Sequence, residues 1–140
     1  MIRNGAPVRV LIVDDEPDIC WALMHILKST GIVPVTTTSG REALRLAKSQ
    51  RFHLAFIDAK LPDLDGLDLA RRIREGDAAA RIVLVSGYFY CDDAEVRQAM
   101  VAGLITDFVS KPILHQEVEA IAREVLSQVV STSRVIAPVP

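Results

Sequence analysis

Val8-Arg9-Val10-Leu11-Ile12-Val13-Asp14-Asp15-Glu16 is an apolar run, interrupted once by arginine, that ends on three acids. A short run of this kind, β-branched and without polar alternation, reads as a strand buried on both faces. The period then changes. Ile19, Leu23, Ile26 and Leu27 recur at helical spacing, and Gly31 closes the pattern. The same change repeats down the chain. Ile32–Thr37 is a second, β-branched strand, and Ser39 is placed to cap a helix from about Gly40 to Gln50, with Glu42 where a capping box needs it. Leu54–Ile57 is a third strand closing on Asp58. A turn-rich loop, Leu61–Gly66, leads into a helix over Leu67–Glu75 that Gly76 stops. Ile82–Val85 is a fourth strand running into Ser86-Gly87. Asp92 or Asp93 caps a helix to about Ala102, with Val96, Ala99 and Met100 on one face. Phe108–Val109 forms a short fifth strand before Lys111-Pro112. Val118, Ile121, Ala122, Val125, Leu126 and Val129 mark a last helix.

Five successive β/α units imply an α/β fold with one open parallel sheet covered by helices on both faces, because each crossover is right-handed and such strands must be buried on both sides. The expected division is an N-terminal extension over 1–7, one domain over 8–130, and a flexible tail or truncated linker over 131–140, where Ser-Thr-Ser and Ala-Pro-Val-Pro stand. No output domain is expected within the chain.

Composition narrows the function classes. At 140 residues, half hydrophobic and 24% charged, the chain has the makeup of one ordinary globular domain. Its net charge is −2, without the basic excess of a duplex-binding surface, so no direct nucleic-acid binding is expected. Arg71, Arg72 and Arg74 read as a solvated helix face. Cys20 and Cys91 lack metal or redox spacing, which fits a reducing compartment. No stretch approaches the ~20 apolar residues of a membrane span, and the first seven lack the apolar core of a signal peptide. A cytoplasmic protein without membrane contact is expected.

Open sheets of this kind collect their chemistry beyond the carboxyl ends of the strands. Asp14, Asp15 and Glu16 stand after the first strand, Asp58 after the third, Ser86 after the fourth and Lys111 after the fifth. Taken singly they are a helix cap, two turn residues and a surface lysine. Together they place carboxylates, a hydroxyl and an ammonium on one rim. Two carboxylates ~4 Å apart repel by roughly 4 kcal/mol at an effective dielectric near 20, so the cluster calls for a cation among the acids. Carboxylate oxygens with room for water suit Mg²⁺, with Mn²⁺ as an alternative. Mg²⁺, Lys111 and the Ser86 hydroxyl could then hold three phosphoryl oxygens while Asp58 attacks phosphorus.

Four stretches carry a family resemblance: Leu-Ile-Val-Asp14-Asp15-Glu16-Pro17, Ile57-Asp58-Ala-Lys-Leu-Pro62-Asp-Leu-Asp65-Gly66, Ser86-Gly87, and Phe108-Val-Ser-Lys111-Pro112. They resemble the receiver domain of bacterial two-component response regulators, over about Val8 to Leu126. Asp18-Ile-Cys-Trp21-Ala-Leu is further similar to receivers of the nitrogen-control type. The resemblance implies a flavodoxin-like sheet of order 2-1-3-4-5, with Asp58 as phospho-acceptor. It implies Asp15, Asp58 and the Lys60 backbone carbonyl as metal ligands, with Asp14 reaching the metal through water. Ser86 matches the switch hydroxyl, Lys111 the phosphate-pairing lysine, Phe108 the switch aromatic and Pro112 a cis-proline. The implied donor is a phosphohistidine on a sensor histidine kinase or phosphotransfer domain. The implied readout is a changed face of helix 4, strand 5 and helix 5 that controls an unknown downstream protein or output domain, with a phosphorylation-dependent homodimer among the outcomes. Such a domain accepts a group rather than turning over a substrate.

Some positions depart from the family pattern. Lys60 and Tyr88, beside the phosphoryl site, are both bulky, and we expect them to lengthen the life of the phosphorylated form. The Ser86–Lys111 segment is longer than usual, with extra residues at Tyr88–Cys91 and Gly103–Asp107. The aromatics of the first insertion either pack on the fourth helix or form a partner-binding patch. Phe108 has no hydroxyl, so its switching would rest on burial alone. Trp21 is expected to pack partly buried and His25 to lie on the surface. An aspartate-nucleophile phosphatase would carry Asp-x-Asp after the first strand, and a flavin module would carry a Ser/Thr/Gly-rich loop there. Asp14-Asp15-Glu16 fits neither. A pseudo-receiver that binds partners without phosphorylation is the remaining alternative.

Overall fold

Strands and helices alternate in the computed structural model, which describes residues 8–87 and 93–136, and their side chains up to residue 129. The elements are β1 (Arg9–Val13), α1 (Pro17–Lys28), β2 (Val33–Thr37), α2 (Gly40–Ser49), β3 (Leu54–Asp58), α3 (Gly66–Gly76), β4 (Arg81–Ser86), α4 (Ala94–Val101), β5 (Asp107–Ser110) and α5 (His115–Ile136). The strands form one parallel sheet in the order β2-β1-β3-β4-β5, the doubly wound arrangement that the repeated change of period implies.

Side-chain alternation along the strands divides the apolar residues into two cores. Leu11, Val13, Ala55, Ile57, Ile82 and Leu84 point to the side of α2, α3 and α4. Val10, Ile12, Leu54, Phe56, Val83 and Val85 point to the side of α1 and α5. β3, central in the sheet, is buried along its whole length. This explains why its four apolar residues, Leu54–Ile57, read as a continuous run rather than an alternating one.

Local signals set the helix starts. Pro17 takes the first turn of α1, where its missing N–H costs no hydrogen bond. The Ser39 hydroxyl accepts from the Glu42 N–H at the head of α2, and the Asp93 carboxylate accepts from the Glu95 N–H at the head of α4.

Four features differ from the sequence expectation. β2 is the sheet edge and is not buried on both faces, with Val33 75% exposed. α5 continues through Ile136, beyond the tail start expected at Ser131. No glycine or proline interrupts this stretch, and Ser and Thr cost a helix only a few tenths of a kcal/mol each. Met100 is exposed while Val96 and Ala99 are buried, because the short α4 turns a narrow stripe to the sheet. Trp21 is 62% exposed rather than partly buried. The stripe of Cys20, Leu23, Ile26 and Leu27 faces the sheet, leaving Trp21 and His25 one turn apart on the outer side. Their rings stack there, with centroids 5.0 Å apart.

Candidate functional site

Three polar or charged residues are buried among those described: Asp14, Asp58 and Ser86. All three lie at the carboxyl end of the sheet. The strand order places the ends of β1, β3, β4 and β5 side by side, so residues far apart in sequence share one rim. Asp58 ends β3 in register with Val85, one residue before Ser86. The Lys111 N–H donates to the Ser86 carbonyl at 3.1 Å, which ties the end of β5 to that of β4.

Lys111 reaches back across this rim. Its Nζ lies 2.6 Å from Glu16 Oε1, 3.1 Å from Asp14 Oδ2 and 3.4 Å from Asp58 Oδ1. Asp14 Oδ1 accepts from the Glu16 N–H at 2.9 Å. Asp14 Oδ2 is buried and has no hydrogen bond, its approach to Lys111 being an ion pair without hydrogen-bond geometry. Carboxylate oxygens of Asp14, Asp15 and Asp58 come within 4.8 Å of one another. Asp15 is the solvent-facing member of the three.

Three acids, Asp14, Glu16 and Asp58, therefore share one lysine, with Asp15 beside them. Burial, then the charge of Asp14, pushes the Asp58 carboxyl up to about 6, against the pull of Lys111. Burial also raises Asp14, opposed by its bond to the Glu16 N–H and by Lys111. Burial alone would lower Lys111, but its bond to Glu16 and the charges of Asp14 and Asp58 hold it above the usual lysine range. The ammonium stays charged, and the acids remain short of positive charge. An all-oxygen donor set with one buried, unbonded carboxylate oxygen fits a hard divalent cation such as Mg²⁺.

The loop after Asp58 approaches closely. Lys60 pairs with Asp65 in an isolated antiparallel bridge, and the Gly66 N–H donates to the Ala59 carbonyl at 2.9 Å. A Cβ at position 66 would lie 2.2 Å from the Asp58 carbonyl oxygen, so only glycine permits this return. The Lys60 side chain is exposed. Phe108 is half-buried, paired with Leu84 and packed against the core on the α3 and α4 side. The Lys111–Pro112 peptide is cis. Tyr88 and the rest of the Tyr88–Cys91 insertion lie outside the described residues.

Two residues gain roles that their sequence positions did not reveal. Glu16, one of three acids in a row, makes the shortest contact to Lys111. Arg74 is not part of a solvated face with Arg71 and Arg72. Half-buried, it donates to the carbonyls of Ala78, Ala80 and Leu104. The signal available was its place in the last turn of α3, where a long cation can reach unpaired carbonyls.

A family model described as the response regulator receiver domain matches residues 10–123. The cell cycle transcriptional regulator CtrA of Caulobacter vibrioides is 31% identical over 116 residues, covering 83% of this chain and 48% of that protein. The alkaline phosphatase synthesis transcriptional regulatory protein PhoP of Bacillus subtilis is 29% identical over 119 residues, covering 84% and 48%. The chain thus spans about half the length of these curated relatives. Among solved structures, the signal receiver domain of an HD domain-containing protein from Pseudomonas fluorescens superposes with a TM-score of 0.80 at 25% identity, covering 96% of this chain and 97% of that one.

Proposed function

The chain belongs to the response regulator receiver domains of two-component systems, and on that premise we propose that Asp58 accepts a phosphoryl group in a Mg²⁺-dependent reaction. The observation that carries this is the burial of Asp58 beside Asp14 and Ser86, with a single lysine 3.4 Å from its Oδ1. A buried acid cluster short of positive charge is costly to maintain, and a divalent cation with a phosphoryl group is the ligand that would use it.

Asp14, Asp15, Asp58 and the Lys60 carbonyl would hold the metal. When bound, Mg²⁺ supplies the positive charge that lets carboxylates and phosphoryl oxygens share the site. The rest falls to the chain. In the metal-free protein the Asp58 carboxyl stands at about 6 and is mostly ionised at neutral pH, and a bound cation would favour the ionised form further, leaving a carboxylate to act as nucleophile. One of its carboxylate oxygens forms the O–P bond as the N–P bond of a phosphohistidine breaks, and the departing imidazole keeps the electron pair and takes a proton. Lys111, already charged, exchanges its bond to Asp58 for one to a phosphoryl oxygen. The Ser86 hydroxyl donates to a second. The donor would be a sensor histidine kinase or a phosphotransfer domain in the cytoplasm.

The readout follows from the same exchange. Drawing Ser86 and Lys111 toward the phosphoryl group shifts the ends of β4 and β5, and Phe108 on β5 moves deeper into the core it already touches. This would alter the face of α4, β5 and α5 presented to a downstream protein, an output domain or a second copy. Lys60 and Tyr88 would slow hydrolysis by crowding the attacking water; unchanged dephosphorylation in both Lys60→Ala and Tyr88→Ala removes that role.

The test uses acetyl phosphate with and without Mg²⁺, followed by intact mass and Trp21 fluorescence. A Mg²⁺-dependent adduct that is lost in Asp58→Ala is expected. No adduct, or full yield in Asp58→Ala, overturns the proposal and favours a partner-binding module without phosphorylation.

A further inference from the structure

α2 begins with more capping than its own sequence provides. Ser39 accepts from the Glu42 N–H at 3.2 Å, as the capping box predicts. Asp63, from the loop after β3, takes the other amides. Its Oδ1 accepts from the Gly40 N–H at 3.0 Å, and its Oδ2 accepts from the Arg41 N–H at 3.0 Å and from the Ser39 hydroxyl at 3.1 Å. These bonds, the Gly40 and Arg41 amides first, hold the Asp63 carboxyl below the usual range. The contact is tight. A Cβ on Gly40 would lie 2.9 Å from the Leu64 Cβ and 3.2 Å from Asp63 Oδ1.

The hydrogen bonds continue on both sides. The Asp14 N–H donates to the Thr37 carbonyl at 3.1 Å, and the Ser39 N–H donates to Thr37 Oγ1 at 3.3 Å. On the other side, the Lys60–Asp65 bridge and the Gly66 to Ala59 bond return the loop to Asp58. Asp14 and Asp58 are thus joined by a second route, through Thr37, the head of α2 and Asp63, that does not pass through Lys111.

We infer that Asp63 is a positioning residue: by binding the head of α2 it fixes the loop that carries the Lys60 carbonyl, and so the spacing between Asp58 and Asp14. The inference rests on the phospho-acceptor function proposed above. A helix cap alone is a weaker explanation. α2 already has Ser39 as its cap, and a mere cap would not require the empty space at Gly40 into which Leu64 and Asp63 fit.

Three variants test it: Asp63→Ala, Asp63→Asn, which keeps an accepting oxygen, and Gly40→Ala, which pushes the loop from the opposite side. Mg²⁺ affinity is measured by calorimetry, amide exchange at Gly40, Arg41 and Gly66 by NMR, and the rate of labelling by acetyl phosphate by intact mass. Asp63→Ala and Gly40→Ala are expected to weaken Mg²⁺ binding by about 3- to 10-fold, at or below the lower end of what partners supporting a metal ligand supply. Both should speed exchange at Gly66 and slow labelling by a similar factor, while Asp63→Asn, whose one carbonyl oxygen can serve only one of the two amides, falls between wild type and Asp63→Ala. Wild-type Mg²⁺ affinity and labelling in a folded Asp63→Ala variant overturn the inference alone. A wild-type chain that takes no Mg²⁺-dependent label overturns the function beneath it.

Discussion

At the amino end of the sheet, Arg81 lies between Asp107, Glu124 and Gln128, Arg74 is bound to three backbone carbonyls, and His53 Nδ1 accepts from the Arg9 N–H at 3.0 Å. At the carboxyl end, four acids face a single lysine. The same sheet supports both ends, and the residue types overlap. What differs is the matching of charge. Cations at the amino end meet acceptors supplied by the fold through their terminal guanidinium nitrogens, so their bonding serves stability, while Nε of both Arg74 and Arg81 is buried without a hydrogen bond. The acids at the carboxyl end are left short of cations, which is costly unless something from solution completes the set. Unbalanced buried charge, rather than charge itself, separates the site from the scaffold.

Removing charge should therefore have opposite effects at the two ends. The largest effect is expected for Arg74→Ala, which leaves three carbonyls without their donor and costs about 3 kcal/mol in urea unfolding. A loss below about 0.5 kcal/mol, as for an ordinary surface position, would show that the amino end is not held this way. Asp58→Asn should instead stabilise the metal-free protein by about 2 kcal/mol at pH 7. The Asp58 carboxyl stands at about 6, above its unfolded value of 3.8. The stability it contributes is therefore full below about pH 3.8 and is lost as pH rises through about 6. The gain from Asp58→Asn should vanish toward pH 4 and level off above pH 6–7, and saturating Mg²⁺ should remove it by stabilising wild type. Parallel stability curves from pH 4 to 7 would contradict the contrast. The smallest effect is expected for Arg81→Ala, at about 1 kcal/mol and weakened by salt, because its acidic partners are partly exposed.

Much of this was legible in the chain. The repeated switch between strand and helix periods needs only local pattern, and it specified five β/α units in an open parallel sheet; the strand order 2-1-3-4-5 was what the family resemblance implied, and the structure bears out both. The site residues were legible for a related reason. Each ends or follows a strand, and a parallel sheet gathers all such ends on one side. Glycine at 66 and the Ser39 cap could likewise be placed from neighbouring residues.

The rest depended on distance in space. Arg71, Arg72 and Arg74 look alike in sequence, yet only Arg74 points to where the turn before β4 and the loop before β5 present their carbonyls. Trp21 is a large apolar residue whose exposure depends on which side of α1 meets the sheet. Asp63 sits in a loop of ordinary turn residues, and its partners belong to a helix more than twenty residues earlier. Glu16 became the nearest partner of Lys111 across ninety-five positions. Local pattern determined the elements, their alternation and which residues would line the rim, because these follow from backbone period and side-chain burial. Which polar group meets which, and hence how charge is balanced at each end, was decided only by the packed structure, since hydrogen bonds and ion pairs act over a few ångströms and the sequence carries no distances.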